Sequence, residues 1–80
     1  MHKKLVIGGT YKHSKSGNLY RVIALAKHSE TLEDLAVYEC LYENPRSKIW
    51  VRPLKMFLEE VVINGKKVPR FELIEEKQTS

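Results

Sequence analysis

The chain has 80 residues, of which 42% are hydrophobic and 30% charged. A chain this short supports one hydrophobic core, and the composition excludes an intrinsically disordered protein. We therefore expect a single domain over residues 1–80 with a flexible polar tail at 75–80. The apolar run at residues 5–7 is too short for a signal peptide or a membrane span, and Cys40 is the single cysteine. A lone thiol suits a reducing compartment, so these features predict a cytoplasmic protein.

The net charge is +4, and its sign alternates along the chain. Residues 1–28 carry six Lys or Arg and no acid, residues 29–43 carry five acids and no Lys or Arg, and residues 44–58 carry four bases and no acid. If the fold brings the two basic segments together, they form a positive face that attracts an anionic partner. Alternatively, neighbouring strands of opposite sign form ion pairs, and we favour this second interpretation.

Turn signals divide the sequence into short segments of strand character. Asn64-Gly65 predicts a hairpin between residues 61–63 and 68–71, because a type I′ turn requires positive φ at both central positions. The other predicted strands are residues 11–13, 19–27, 35–42 and 49–52. Several short strands with frequent turns predict a mainly β protein, a small SH3-like barrel of five to six strands.

Residues 53–58 differ from the rest because they predict one short helical turn. The segment begins with a proline, which the first turn of a helix accepts. Leu54, Phe57 and Leu58 have the i, i+3, i+4 spacing of one helical face. We expect this turn to close one end of the barrel with Met56 and Phe57.

Residues 28–42 allow three interpretations. Thr31 and Asp34 fit a capping box that would begin a helix. Alternatively, residues 29–34 form a polar hairpin connection and a strand begins at Leu35, which the valine and tyrosines that follow favour. The third interpretation is a catalytic cluster. We favour the hairpin connection followed by the strand.

The catalytic interpretation would make the protein a hydrolase that uses His28 and Glu30. His28, Ser29 and Glu30 are consecutive, however, and consecutive strand residues point to opposite faces rather than converging. A wider version would use His28 or His13 as general base with Glu30 or Glu33 as the orienting acid. The sequence has no Gly-x-Ser-x-Gly motif. We therefore expect a protein that is not an enzyme.

The sequence contains residue types that could bind a metal ion. His13, His28, Cys40 and Glu30 are ligand types that suit zinc. Their spacing matches none of the recognised zinc patterns, and a lone cysteine is more often a small buried hydrophobic residue. We expect neither a metal nor another cofactor.

Residues 48–52 carry the strongest signal for a ligand. In a strand, Ile49 and Val51 share one face, while Lys48, Trp50 and Arg52 share the other. If the aliphatic pair faces the core, an indole is exposed between two cations, an arrangement that can stack a base and bind a phosphate. The alternative places Trp50 in the core and the aliphatic pair outside.

Several motifs together resemble a bacterial family, domain of unknown function 1653. The motifs occur in the order HSET at 28–31, WVRP at 50–53 and VPRF at 68–71, and the resemblance covers residues 9–73. It implies an SH3-like barrel and brings no established activity. The polar motif residues could instead form a structural hydrogen-bond network, for example an ion pair between Arg52 and either Glu30 or Glu33.

Together these observations predict a non-catalytic binding module. The ligand expected first is a single-stranded nucleic acid or a nucleotide, because stacking and phosphate neutralisation use these residue types. The alternative is a protein-interaction module that docks a partner on an open barrel edge or on the aromatic surface. The predicted binding residues are Tyr11, His13, His28, Glu30, Lys48, Trp50 and Arg52.

Overall fold

Seven strands and one helical turn make up the computed structural model, which describes residues 5–76. Five strands form an antiparallel sheet in the order β4-β3-β2-β1-β7, and β5 and β6 form a separate hairpin, so the predicted mainly β class is confirmed. The elements are β1 (Thr10–His13), β2 (Leu19–Lys27), β3 (Asp34–Cys40), β4 (Ile49–Pro53), α1 (Leu54–Phe57), β5 (Glu60–Ile63), β6 (Lys66–Pro69) and β7 (Phe71–Glu75). Of the predicted tail, Glu75 still belongs to β7, and residues 77–80 lie outside the described residues.

The closed barrel is not confirmed by the strand pairing. β4 and β7 lie at the two edges of the sheet, and no pairing joins them within residues 5–76. Register shifts interrupt β1 between Thr10 and Tyr11 and β2 between Val22 and Ala24. Such bulges bend and twist the strands that carry them. The structure therefore supports a bent antiparallel sheet, and barrel closure stays a prediction.

The hydrophobic core lies on one face of the sheet, which we call the inner face. Tyr11, Val22, Ala36 and Tyr38 are buried there, and Phe57 of α1 covers them with no exposed surface. The predicted helical turn is thus confirmed, because the apolar side chains of α1 pack on the sheet. Met56, which was expected to close the barrel end beside Phe57, is 40% exposed instead.

The Asn64-Gly65 hairpin forms at the predicted turn, but its second strand is Lys66–Pro69 rather than residues 68–71, because Phe71 already pairs with β1 as the first residue of β7. Asn64 and Gly65 have positive φ, 53° and 78°, and they join β5 to β6 where Ile63 pairs with Lys66. Glycine tolerates this left-handed conformation without a steric penalty, and asparagine tolerates it better than most residues. Local sequence therefore fixes the position of this hairpin.

The alternation of charge is explained by strand order. The acidic strand β3 lies between the basic strands β2 and β4. Glu39 is 3.6 Å from Arg21 and 3.8 Å from Lys48, and Asp34 is 2.7 Å from Lys27. These pairs are exposed, and each contributes about 0–1 kcal/mol. The cross-strand interpretation of the charge pattern is therefore supported.

Of the two orientations that the sequence left open for strand β4, the structure shows the one with Trp50 facing the core. Its register places Trp50 opposite Tyr38 and Arg52 opposite Ala36, so these two side chains share the inner face. Ile49 and Val51 lie on the outer face and are 53% and 56% exposed. The alternative with Trp50 towards the core and the aliphatic pair outside is therefore the one found, because burial of the larger indole against the core cluster removes more apolar surface from water.

Candidate anion-binding site

Polar and aromatic side chains from β1, β4 and α1 converge on the ring of Phe71. The pairing of β1 with β7 places His13 opposite Phe71, and their rings meet edge to face with 4.9 Å between centroids. The guanidinium carbon of Arg52 lies 5.5 Å from the same centroid. On its other side Phe71 stacks on Phe57 at 4.1 Å and is fixed by the core. Phe71 is therefore a rigid support for two basic side chains.

Arg52 is half-buried and lacks a carboxylate partner within residues 5–76. Its Nε–H donates to the Tyr38 hydroxyl over 3.4 Å. The expected ion pair with Glu30 or Glu33 does not form, because both acids are exposed in the turn between β2 and β3. Burial weakens the hydration of a charged group, so a cation in this position favours an anion beside it.

His13 presents one hydrogen-bond donor and no free lone pair when neutral. Its Nδ1 accepts the backbone N–H of Ser16 over 3.2 Å, so the neutral ring carries its proton on Nε2. Burial first, and then the positive charges of Arg52, Arg70 and Lys15, lower the pKa of His13. At neutral pH His13 is thus an uncharged Nε2–H donor among cations.

Arg70 is held in place through its backbone and its side chain. Its N–H donates to the Glu59 carbonyl and its carbonyl accepts from the Ser14 N–H, both over 2.9 Å. Its guanidinium pairs with the Glu59 carboxylate, with Nε donating over 2.8 Å and Nη2 donating to the same oxygen. The Glu–Arg pair in this fold therefore uses Arg70 rather than Arg52.

A groove lies beside these basic groups. It encloses about 340 Å³. Its lining consists of three basic residues and three consecutive aliphatic residues of β5: His13, Lys15, Arg70, Val61, Val62 and Ile63. We call this feature the groove, and the set His13, Lys15, Arg52 and Arg70 the cationic cluster.

The tyrosines near the cluster do not leave an open aromatic pocket. Tyr20 meets both Tyr38 and Tyr42 edge to face, with centroids 5.4 and 5.5 Å apart. The Tyr20 and Tyr42 hydroxyls lie 3.0 Å apart, and the Asn44 amide donates to the Tyr42 hydroxyl. Burial, and then the hydrogen bond with Tyr42, raise the pKa of Tyr20. The Tyr20 hydroxyl therefore stays neutral, and its hydrogen bond with the Tyr42 hydroxyl leaves no free tyrosine pair for a ligand.

The HSET motif closes the turn between β2 and β3. The Nδ1 of His28 accepts the backbone N–H groups of Glu30 and Thr31, over 3.1 and 3.3 Å. Thr31 Oγ1 accepts the N–H of Glu33, and Leu32 has a positive φ of 64°. The segment forms a turn and no helix, as the hairpin interpretation predicted. In this geometry the His28 ring stabilises the backbone of the turn, and Glu30 contributes its backbone N–H.

Three other predicted binding residues lie away from the cluster. Tyr11 is buried, and its hydroxyl accepts a backbone N–H from the segment before β1. Trp50 is half-buried, and its Nε1–H donates to the Ser47 carbonyl over 3.0 Å. Lys48 pairs with Glu39. Of the seven predicted residues, the fold brings only His13 and Arg52 together.

The structure adds members that the sequence analysis did not select. Lys15, Arg70 and Phe71 belong to the site together with the β5 wall. Arg70 and Phe71 lie in the VPRF motif, which was the one available signal for them. The sequence around the VPRF motif does not indicate that the motif lies beside the turn between β1 and β2.

The residues considered for zinc are dispersed. No three His, Cys, Asp or Glu side chains converge as a metal site would require anywhere in residues 5–76. Cys40 is a buried free thiol, and its sulfur accepts the Asn44 amide over 3.7 Å. In the same part of the chain there is no helix with the length and hydrophobicity that crossing a membrane requires.

Fold and site together define a small, mainly β protein with a cationic groove beside its aromatic core. The chain belongs to the family described as protein of unknown function DUF1653, whose model matches residues 9–73. It is similar to a crystal structure of a DUF1653 protein from Bordetella bronchiseptica, with 30% identity and a TM-score of 0.80 over 91% of this chain and 92% of that chain. No curated protein matches the chain. The resemblance seen in the sequence motifs is thereby confirmed.

Proposed function

We propose that this protein is a non-catalytic module that binds a phosphate-bearing ligand, either a nucleotide or a single-stranded nucleic acid. The observation that carries the proposal is Arg52, a half-buried cation over Phe71 with no carboxylate partner within residues 5–76. A bound phosphate would supply the missing anion. Arginine suits this role because its planar guanidinium donates two parallel hydrogen bonds to phosphate oxygens.

The distribution of ion pairs supports this location. Arg21 and Lys48 pair with Glu39, and Lys27 pairs with Asp34. Within residues 5–76, no ion pair involves Arg52 or Lys15, and Arg70 pairs with Glu59. Arg52 and Lys15 therefore give the cationic cluster positive charge that no ion pair offsets, and this charge attracts an anion.

The hydrogen bonding of both histidines supports a non-catalytic role. In His13 and in His28 the Nδ1 atom already accepts backbone N–H groups, so the neutral rings carry their protons on Nε2. Neither ring offers a lone pair that could take a proton from a substrate. The hydrolytic reading that uses His28 and Glu30 receives no support from this geometry.

Arg52→Gln is expected to lower the affinity for a labelled oligothymidylate by about tenfold, measured by fluorescence anisotropy. One charge-assisted hydrogen bond is worth about 1.5 kcal/mol, and about 1.4 kcal/mol is tenfold in affinity. The wild-type affinity is expected to fall on the order of tenfold between about 50 and 200 mM salt, through release of counterions.

Lys48→Gln is the matched control, because it removes the same charge from an exposed side chain that already pairs with Glu39. We expect this variant to bind within about twofold of the wild type, since exposed pairs contribute little. An equal loss in both variants would show that net charge alone controls binding. Affinity that is indifferent to salt would refute the phosphate contact.

A second candidate function is protein docking on the outer face, favoured by the exposure of Ile49 and Val51. Extension of the sheet by a partner strand is opposed at this edge. The Ser47 hydroxyl caps both the N–H and the carbonyl of Ile49, and Pro53 has no N–H. Such capping protects edge strands from pairing. A partner would have to contact the aliphatic side chains, and its binding would persist at high salt.

Two finer expectations join the proposal. We propose that the sheet and the β5–β6 hairpin form an SH3-like barrel, which the bulges in β1 and β2 and the core on one face support. We also propose a cytoplasmic location, which the free thiol of Cys40 supports.

A further inference from the structure

The groove has two chemically different sides. His13, Lys15 and Arg70 supply one side, and the β5 residues 61–63 supply the other. Val62 is 66% exposed even though it is aliphatic. An aliphatic side chain exposed beside three basic groups offers apolar contact to a ligand whose anionic end lies among those groups.

The donors on the basic side are fixed before a ligand arrives. Glu59 engages Nε and Nη2 of Arg70, which leaves Nη1 of this guanidinium outside that ion pair. Ser16 holds Nδ1 of His13, so its Nε2–H is the remaining donor of the neutral ring. Donors that are already positioned lose little conformational entropy on binding.

The size of the groove limits the ligand. Its volume of about 340 Å³ lies at the lower end of the range for small-molecule sites, roughly 300–1,000 Å³. A single strand is bound differently, along an extended basic track with several aromatic platforms. No aromatic side chain is among the exposed large hydrophobic residues within 5–76. The groove therefore suits one compact ligand.

We infer that the groove binds a small phosphate monoester with an apolar or aromatic body, of which a nucleoside monophosphate is the type. The phosphate lies among the residues of the cationic cluster, where the charges of Arg52, Arg70 and Lys15 act together on His13, and the body lies against the exposed side chain of Val62 in β5. This inference rests on the proposed function and narrows its ligand from a nucleotide or a strand to a single nucleotide-sized unit.

The test compares three probes by isothermal titration calorimetry: adenosine monophosphate, inorganic phosphate and adenosine. We expect adenosine monophosphate to bind about tenfold more tightly than inorganic phosphate, because its body adds apolar contact, and adenosine to bind more weakly than either. Val62→Ser is expected to weaken adenosine monophosphate about threefold and to leave inorganic phosphate unchanged.

Val51→Ser is the matched control, since it changes a valine of similar exposure on the outer face of β4. It is expected to bind all three probes like the wild type. Circular dichroism of both variants checks that they are folded.

The outcomes separate the inference from the proposed function. Equal binding of adenosine monophosphate and inorganic phosphate overturns the inference and leaves the phosphate site in place. The inference is also overturned, with the phosphate site left in place, if an oligothymidylate binds more tightly than adenosine monophosphate and its affinity is unchanged by Val62→Ser. A Val62→Ser variant that weakens both phosphate probes equally also overturns it, because the apolar contact is then not responsible. If no phosphate probe and no oligonucleotide binds, the proposed function fails and the inference fails with it.

Discussion

Replacing Phe71 with alanine is expected to lower the free energy of unfolding by about 3–5 kcal/mol, the usual cost of removing a buried phenylalanine. Phe71 is 4% exposed and stacks on Phe57, with Tyr38 and Tyr20 each 5.6 Å from its ring. Alanine would leave a cavity at the point where β7, α1 and β3 meet. A domain of this size has a total stability of about 4–12 kcal/mol, so much of it would be lost. Urea unfolding followed by circular dichroism measures the change.

Ile74→Ala is the control for this prediction, because Ile74 lies in the same strand and is 48% exposed. Its effect is expected to stay within about 0.5 kcal/mol, as for most surface substitutions. Phe71→Leu keeps most of the volume and should cost less than about 1.5 kcal/mol. It also removes the ring beneath Arg52, so it separates the stability of the core from anion binding. A loss below about 1 kcal/mol in Phe71→Ala would contradict the central position of this ring in the core.

Elements set by local physics were predictable from the sequence. The Asn64-Gly65 hairpin follows from the positive φ that its turn requires. The helical turn at 54–57 follows from a leading proline and the apolar spacing after it. In both cases the conformation is determined by residues within a single turn, so the local sequence is sufficient to predict it.

The orientation of β4 could not be decided in the same way. Both faces of this strand carry apolar side chains, so alternation alone leaves two registers open. The sequence therefore leaves open whether Trp50 and Arg52 or Ile49 and Val51 face the core. Arg52 lies on the inner face because Phe71 and the Tyr38 hydroxyl receive its guanidinium. These two contacts are made by other strands, so the residues around Arg52 in the sequence do not indicate them.

The candidate site depends on long-range pairing even more strongly. His13 could be selected as a polar residue of a motif, but its neighbours Arg52 and Arg70 arrive with β4 and β7. The HSET motif was attractive because it concentrates chemical groups, yet it closes a turn. His13 and His28 both cap a turn. Each lies at the end of a strand or directly after one, and its ring accepts a backbone N–H from a residue two or three positions later. A histidine just before a polar turn is thus better interpreted as a turn-capping residue.

Protonation of His13 is expected to have opposite effects on stability and on anion binding. Its pKa is lowered from the ordinary value of 6.5, by burial first and then by Arg52, Arg70 and Lys15. As the pH falls below 6.5, the unfolded chain takes up a proton at this histidine before the folded protein does. Its contribution to stability is therefore fully present above that pH and declines below it. Urea unfolding of the wild type and of His13→Gln between about pH 8 and pH 5 measures this difference.

Anion affinity depends on pH in the opposite direction to stability. A bound anion offsets the repulsion that the cations exert on the imidazolium form of His13. The pKa of His13 is then higher in the complex than in the free protein, so affinity rises as the pH falls, by up to about tenfold per pH unit between the two values. Within this set, Arg70 is the residue that pairs with an acid, Glu59. The Ser16 hydroxyl, 3.3 Å from Nδ1, can accept the new N–H.

Inorganic sulfate is the suitable probe, because phosphate itself changes charge near pH 6. The chemical shift of the His13 ring proton on Cε1, followed by NMR as a function of pH, should titrate at higher pH when sulfate is present. His28 serves as the internal control, since its ring caps the turn between β2 and β3, and sulfate should leave the chemical shift of its Cε1 proton unchanged at each pH. His13→Gln should bind sulfate with an affinity that no longer rises on acidification. If sulfate does not move the titration of His13, no anion binds beside this ring. Arg52 would then serve only the fold, through its contacts with Phe71 and the Tyr38 hydroxyl.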